Sequence, residues 1–321
     1  MAVTQFAIRG PHQKIAAADD RERFALLLFD TLWDRYRERV AHVGTYERVI
    51  AEAGATFVND HIAFRTFACQ RPLTGIASIS RIFETLGYRG AGCYNFDDKH
   101  LTAIHYEHPN RDFPKLFISE LRVWELGTTA QAIITRTLAR HREPIATAVL
   151  ARLASLSNEH LDPRSEAEVL AGVAGEFHTL PWPAPERSDV EALNRDSQYA
   201  AWVLVHGYNV NHFTSLINSH GVAALNDIEK TASALRAAGV PMKAEIEGAP
   251  GTKLRQTATE AAVIEVPARE GGVETTMPWT YAYFELAERG ELVDPDTGER
   301  RRFEGFLGPQ ATQLFEMTRP T

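Results

Sequence analysis

Cysteine is nearly absent: Cys69 and Cys93 are the only two in 321 residues. Two thiols cannot staple a chain of this length, and their scarcity suits a reducing cytosol. Long apolar runs are missing as well, since no stretch approaches the roughly 18 residues a membrane helix needs. The N-terminus, Met-Ala-Val-Thr-Gln-Phe-Ala-Ile-Arg-Gly, lacks the basic stretch and apolar core of a secretory leader, so a cytoplasmic location is expected. Basic charge is outnumbered, with 34 lysines and arginines against 42 acids and a formal charge of −8. That balance argues against a general nucleic-acid binder, which carries a basic face. It leaves room for a small acidic ligand, because a buried arginine acts locally whatever the net charge. Several catalytic signatures are missing too: no glycine-rich phosphate loop, no GxSxG elbow, no CxxC pair and no HExxH helix.

What is present is an ordinary globular mixture, 44% hydrophobic and 24% charged. The length corresponds to about two domains, or to one large domain with an internal duplication. Arg21 to Val43 reads as an amphipathic helix through Phe24, Leu27, Leu28 and Leu32, and a shorter helix runs from about Tyr46 to Ala53. Val58 to Phe67 changes period and reads as a strand, with His61, Ala63, Arg65 and Phe67 on one face. Ile76, Ile79, Phe83 and Leu86 then mark a helix closed by Gly87. Leu101–Tyr106 and Lys115–Trp124 follow as strands.

Residues from about 128 to 187 read as a helical insertion that ends in the rigid connector Pro181-Trp182-Pro183-Ala184-Pro185. Its histidines, His141, His160 and His178, read as solvated or capping residues. Beyond it the first pattern returns. Trp202 to Thr214 reads as a strand or strand pair, placing His206, Tyr208, Val210 and His212 on one face, and a helix at about 226–238 closes at Gly239. Gly87 follows His61 by 26 residues and Gly239 follows His212 by 27. Each half ends in a strand carrying Glu-Leu, at Glu120-Leu121 and Glu285-Leu286. The expectation is a single α+β metal-binding domain, 1–321, of two βαβββ modules (about 55–125 and about 198–318) closing a cup-shaped sheet.

A face that points into a closed sheet should be apolar, and His61 and Arg65 on it are costly unless something pairs with them. The second half repeats the oddity at Asn211-His212, and the last strand places Tyr281, Tyr283 and Glu285 together. Two imidazoles and one carboxylate suit a divalent first-row metal and leave adjacent positions open. Spacing leaves Glu120 and Glu285 both open as the carboxylate; the tyrosine-rich setting favours Glu285. Arg65, about 13 Å along the strand from His61, suits a bidentate grip on a far carboxylate, or else a structural ion pair. His100, His105 and His108 read as loop residues or as support for the ligands. Tyr281, Tyr283, Phe64 and Phe213 either line the site or fill the core.

Asn59-Asp60-His61-Ile62-Ala63-Phe64-Arg65-Thr66-Phe67, Val210-Asn211-His212-Phe213-Thr214 and Tyr283-Phe284-Glu285-Leu286-Ala287-Glu288-Arg289 resemble the 2-oxoadipate dioxygenase/decarboxylase family. Phe303-Glu304-Gly305-Phe306 and Leu314-Phe315-Glu316-Met317-Thr318 are similar as well, so the likeness runs from about Leu26 to Thr318. It implies a vicinal-oxygen-chelate-like fold with a central metal-bearing β-barrel. It also implies His61, His212 and Glu285 as the metal ligands and Arg65 as the carboxylate-binding residue. The implied cofactor is iron(II), although the affinity order lets zinc, nickel or cobalt take the same ligands. The implied partners are a 2-oxo acid and O2, with no nucleic acid and no membrane; paired-module barrels often dimerise, which admits a homodimer. The implied reaction is oxidative decarboxylation and hydroxylation of 2-oxoadipate to 2-hydroxyglutarate, in lysine breakdown. Competing readings are a ring-cleaving dioxygenase, a glyoxalase-like isomerase, or a non-catalytic binding module.

Overall fold

A computed structural model describes residues 10–69, 74–142 and 145–307 of the chain; the Leu314–Thr318 motif lies outside them. Helix α1 (Asp20–Arg39) begins in a reciprocal cap. The Asp19 carboxylate accepts from the Glu22 amide at 2.8 Å, and the Glu22 carboxylate accepts from the Ala18 amide at 2.8 Å. One face of α1 buries Phe24, Leu28, Phe29, Leu32 and Trp33, each contributing about 1.5–3 kcal/mol of apolar burial. The chain leaves helical geometry at Val40 and re-enters it at once, so α2 (Ala41–Glu52) starts earlier than the sequence suggests.

Strand β1 (Asn59–Ala68) is buried along its whole length. Helix α3 (Ile76–Thr85) packs Ile76, Ile79 and Phe83 inward, and the chain then turns at Gly87, whose φ of +105° suits glycine alone. Strand β2 (Arg89–Phe96) was not foreseen. Its Arg-Gly-Ala-Gly start has little strand propensity, and it forms because it lies at a sheet edge against a hydrogen-bonded neighbour. Strands β3 (Leu101–Glu107) and β4 (Lys115–Arg122) follow as expected.

Helices α4 (Thr128–Leu138), α5 (Thr147–Ser155) and α6 (Pro163–His178) build the insertion. Among its histidines, His160 is exposed beside Asp20, whereas His141 reaches Tyr208 at 2.8 Å and His178 is half-buried in the last turn of α6. After the proline connector the chain remains helical, in α7 (Arg187–Asp196) and α8 (Gln198–His206). Trp202–His206 is therefore helix, not strand. The run Tyr-Ala-Ala-Trp-Val-Leu-Val-His is buried on every side, which erases any periodicity. The Ser197 hydroxyl caps its start by accepting from the Ala200 amide at 3.2 Å, and Gly207 ends it at a φ of +60°.

Strand β5 (Val210–Leu216) opens the second half, followed by α9 (Ile228–Ala237), β6 (Leu254–Ala258), a hairpin of β7 (Val263–Glu270) and β8 (Val273–Thr280), and β9 (Glu285–Arg289). Two short strands, β10 (Glu291–Val293) and β11 (Arg300–Arg302), pair with each other. Seven strands form one sheet in the order β2-β3-β4-β1-β5-β9-β6, curled into a half-barrel. Outward from its centre the first half reads β1, β4, β3, β2 and the second reads β5, β9, β6. A fourth place in the second half is taken by the segment that bridges Met242 to Thr259 and Glu247 to Gln256. These are the paired modules of the vicinal-oxygen-chelate architecture, with β7–β8 an excursion between β6 and β9. Among the described residues no helix is long and apolar enough to cross a membrane.

Candidate metal centre

The two halves meet where β1 and β5 run antiparallel, and the pairing is symmetric about Ile62–Phe213: His61 faces Thr214 and Ala63 faces His212. Each strand carries one extra residue there. The register slips between Asn59 and His61, leaving Asp60 bulged, and between Ala63 and Phe64, leaving Asn211 bulged on the partner strand. A bulge re-aims the side chain it carries. Here it turns Asp60 and Asn211 back onto the histidines that follow them. His61 Nδ1 lies 2.7 Å from Asp60 Oδ2, and His212 Nδ1 lies 3.0 Å from Asn211 Oδ1. A carboxylate or amide oxygen only accepts, so Nδ1 of each ring donates and each Nε2 lone pair faces the centre.

There the Nε2 atoms are 3.3 Å apart, and Glu285 joins them from β9, with Oε1 at 3.4 Å from His61 Nε2 and Oε2 at 3.4 Å from His212 Nε2. One donor atom from each of the three residues falls within a 4.8 Å sphere of separations, a grouping that can hold a metal ion. Glu285 is wholly buried; its Oε1 accepts from Gln256 Nε2 at 2.7 Å, while Oε2 meets no donor in hydrogen-bonding geometry among the described residues. Burial raises the Glu285 pKa to about 8, against the opposing hydrogen bond from Gln256. Burial also pulls His61 below its ordinary value and His212 well below it, so both imidazoles are neutral. Two neutral imidazoles and a desolvated carboxylate with an unsatisfied oxygen are what a divalent cation would satisfy.

Asp60 is itself held. Burial alone would raise its pKa, but Arg289, at 2.5 Å (Nε–Oδ1) and 2.7 Å (Nη2–Oδ2), holds it well below the carboxylate range. Arg65, four residues along β1, is buried with its guanidinium 5.1 Å from the Tyr199 ring and 5.3 Å from that of Trp202. It lines the same cavity as His61 and His212, at the end farther from Lys115, which pairs with His61 in the ladder. Tyr283 stacks on His212 at 4.7 Å, and Phe306 stands edge-on to His61 at 4.9 Å.

The sequence places Glu120 and Glu285 in equivalent positions; the ladder does not. Glu285 lies opposite Thr214, whereas the matching place opposite Ala63 is filled by Phe117. Glu120 corresponds instead to Glu288, three residues further on, and the two share a task. Glu120 Oε2 accepts from the first amide of α3 (Ile76) at 2.8 Å, and Glu288 Oε2 accepts from that of α9 (Ile228) at 2.7 Å. Of the aromatic candidates, Tyr283 and Phe64 line the cavity, while Tyr281 packs on Trp202 and His206, and Phe213 on Trp33 and Tyr36. His206 bonds the Thr280 carbonyl at 2.8 Å. His100 turns with a φ of +56°, His108 stacks on Phe113, and His105 sits 5.3 Å from Phe306, behind the site.

Sequence reading passed over Asp60, Asn211, Gln256, Arg289 and Phe306 as site residues. The signal for the first two was present, an oxygen-bearing side chain immediately before each histidine. Strict alternation discards it, because neighbours on a strand point to opposite faces.

Residues 28–314 match the 2-oxoadipate dioxygenase/decarboxylase family. The chain is 30% identical over 279 residues to the chloroplastic/amyloplastic 2-oxoadipate dioxygenase/decarboxylase of Oryza sativa subsp. japonica, covering 81% of this chain and 68% of that relative. Its fold resembles that of the hydroxyglutarate synthase of Oryza sativa in complex with 2-oxoadipate, with a TM-score of 0.72 at 26% identity over 95% of this chain and 96% of that one. A glyoxalase-superfamily protein from Ralstonia eutropha JMP134 shares the fold, with a TM-score of 0.79 at 23% identity over 91% and 89% of the two chains. By motif, match and architecture together, the chain belongs to the 2-oxoadipate dioxygenase/decarboxylase family.

Proposed function

We propose that this protein is an iron(II)-dependent dioxygenase that converts 2-oxoadipate and O2 to 2-hydroxyglutarate and CO2, with His61, His212 and Glu285 as the metal ligands. The observation that carries this reading is the convergence of three buried donors, two of which, His61 and His212, line one cavity with Arg65. Family membership supports the reaction, and the donor set supports the metal. Iron(II) at these ligands supplies the redox and Lewis-acid chemistry that consumes O2.

The protein's own groups do the rest. Asp60 and Asn211 fix both imidazoles in the tautomer that presents Nε2. Gln256 holds Glu285 in place by donating to Oε1. Arg65 binds the far carboxylate of the substrate, which sets chain length and places the 2-oxo acid end at the metal. Phe117, Tyr283 and Phe306 wall the cavity and exclude water, so that reactive species meet the substrate alone. A ring-cleaving or glyoxalase-like reaction would leave Arg65 idle, which argues for the dicarboxylate. The free thiols Cys69 and Cys93 fit a reducing compartment, so we place the reaction in the cytosol. The matched halves support reading 1–321 as one metal-binding domain with an internal duplication.

The test is anaerobic reconstitution with iron(II), followed by oxygen uptake and product analysis on 2-oxoadipate, with His61→Ala and Glu285→Ala as controls. Equal consumption of O2 and substrate, with 2-hydroxyglutarate formed by the wild type alone, is expected. Stable iron binding without uptake would overturn the substrate, and absence of iron binding would overturn the centre.

A further inference from the structure

The cavity beside the three donors measures about 30 Å³, room for about two water molecules and far too little for a 2-oxo dicarboxylate. Strands β1, β4, β5 and β6 form the sheet side, and buried Tyr199 and Trp202 of α8 back the Arg65 end. Among the described residues the remaining wall is the strap Phe303–Leu307, which belongs to no strand or helix. Phe306 and Leu307 face the small cavity, while Phe303, Glu304 and Gly305 line a cleft of about 900 Å³ on the other side.

That cleft is basic in an acidic protein. Arg111, Lys115, Arg300, Arg301 and Arg302 line it, against three glutamates. The strap is held at both edges: the Phe303 amide donates to the Gly290 carbonyl at 2.8 Å, and buried Phe306 packs against His61, His105 and Phe117. Arg289 donates to the carbonyls of Phe303 and Gly305 at 3.1 and 2.8 Å, and the Phe306 amide donates to the Tyr94 hydroxyl at 3.3 Å. The Glu304 carboxylate accepts from Lys115 at 2.5 Å and from Arg302 at 2.7 Å. Lys115 is mostly buried, with 11% of its side chain exposed, so stripping it of a carboxylate partner would be costly. A second carboxylate arriving from the cleft can take Glu304's place and keep the ammonium paired throughout.

We propose that the cleft is an anion-receiving antechamber of the metal cavity, that the strap Phe303–Leu307 is its gate, and that a substrate carboxylate opens the gate by replacing Glu304 on Lys115. This rests on the dicarboxylate reading above. The electrostatics set the order of events: the guanidinium groups of the cleft collect the dianion, the exchange at Lys115 frees the strap, and Arg65 receives the far carboxylate inside. Strap closure over His61 then seals a cavity enlarged by the bound ligand.

The test uses the full chain without metal and two probes, 2-oxoadipate and glutarate. Hydrogen exchange reports the strap, and stopped-flow tryptophan fluorescence reports ligand association. Glu304→Gln is expected to speed exchange of the Phe306 amide about tenfold and to raise both association and dissociation rates. Arg300→Glu combined with Arg301→Glu, both exposed and outside the cavity, is expected to slow association about tenfold at low salt. That difference should shrink at high salt, with dissociation unchanged. Strap exchange in Glu304→Gln equal to wild type overturns the gate, and association indifferent to the charge reversal overturns the antechamber. Ligand uptake with these dependences, but no oxygen consumption after iron loading, overturns the catalytic reading and leaves the gate standing.

Discussion

The two halves of the sheet offer matched scaffolds and unmatched chemistry. In the first half His61 is oriented by a charged chain, Asp60 backed by Arg289; in the second His212 is oriented by the neutral amide of Asn211. Opposite Ala63 stands Phe117, whereas opposite Thr214 stands Glu285. A carboxylate at both places would give the centre four protein ligands. Phenylalanine at one of them would leave a metal held by the three donors with positions open to the proposed substrate and O2. Duplicated frames thus carry the shared work of presenting two imidazoles, and single departures from symmetry supply the third donor and Arg65.

That contrast can be broken at five points. The largest effect is expected from the unmatched pair. Glu285→Ala should reduce metal affinity by more than the ~100-fold that a lost partner of a ligand costs, whereas Phe117→Ala should retain the metal and lose about 3 kcal/mol of stability. Calorimetric metal titration and denaturant unfolding distinguish them, and equal metal loss in both would refute the asymmetry. Next come the residues behind the histidines. Asp60→Ala leaves the buried Arg289 unpaired and should destabilise by about 3–5 kcal/mol, while Asn211→Ala should cost about 1 kcal/mol; comparable thermal shifts would show the charged chain to be no stronger than the amide.

Arg65→Ala is expected to lower kcat/KM for 2-oxoadipate by about 30-fold, roughly 2 kcal/mol of a charge-assisted contact. Metal affinity should change by no more than a few-fold, because Arg65 is not one of the three donors. The helix leading into β5 supplies a pH test with no counterpart before β1. Burial drops the pKa of His206 to about 3, with Arg39 and Arg65 adding to the fall. The unfolded chain takes up this proton below about pH 6.5 and the folded one does not. Its contribution is therefore present above pH 6.5 and drains as pH falls toward 3, at up to about 1.4 kcal/mol per unit. Unfolding at pH 7.5 and pH 5 should show a smaller acid loss in His206→Gln than in the wild type. The smallest effect concerns the matched pair: Glu120→Ala and Glu288→Ala should each cost about 1 kcal/mol of helix capping and leave metal binding intact. Metal loss in Glu120→Ala would reinstate it as a ligand.

Much of this site was legible in the chain because buried polar residues on a strand face are conspicuous. His61, Arg65 and His212 stand out against apolar neighbours, and β1, α3 and α9 follow from plain periodicity and closing glycines. What was illegible has physical causes. The run from Gln198 to His206 is apolar all round, so no period distinguishes helix from strand. β2 has exposed, glycine-rich residues and exists through its neighbour alone. The bulges at Asp60 and Asn211 break the alternation on which strand reading depends, so their side chains seemed to face away from the histidines. Glu120 was misplaced for a related reason, since matching Glu-Leu pairs ignores that the ladder joins His212 to Glu285 by a shorter step than it joins His61 to Glu120.

The symmetric pairing about Ile62–Phe213 has a consequence for how such sites diversify. A residue one step from a two-fold axis meets its own counterpart, which is why the two imidazoles touch at 3.3 Å. A residue three steps from the axis is carried away from its counterpart; Arg65 lines the cavity and the corresponding Leu216 does not. Change near the axis must therefore be made in concert, while change away from it can be made singly. Relatives built on this frame should keep their paired donors and vary most at the position of Arg65, where one substitution redirects what the centre accepts without disturbing what it holds.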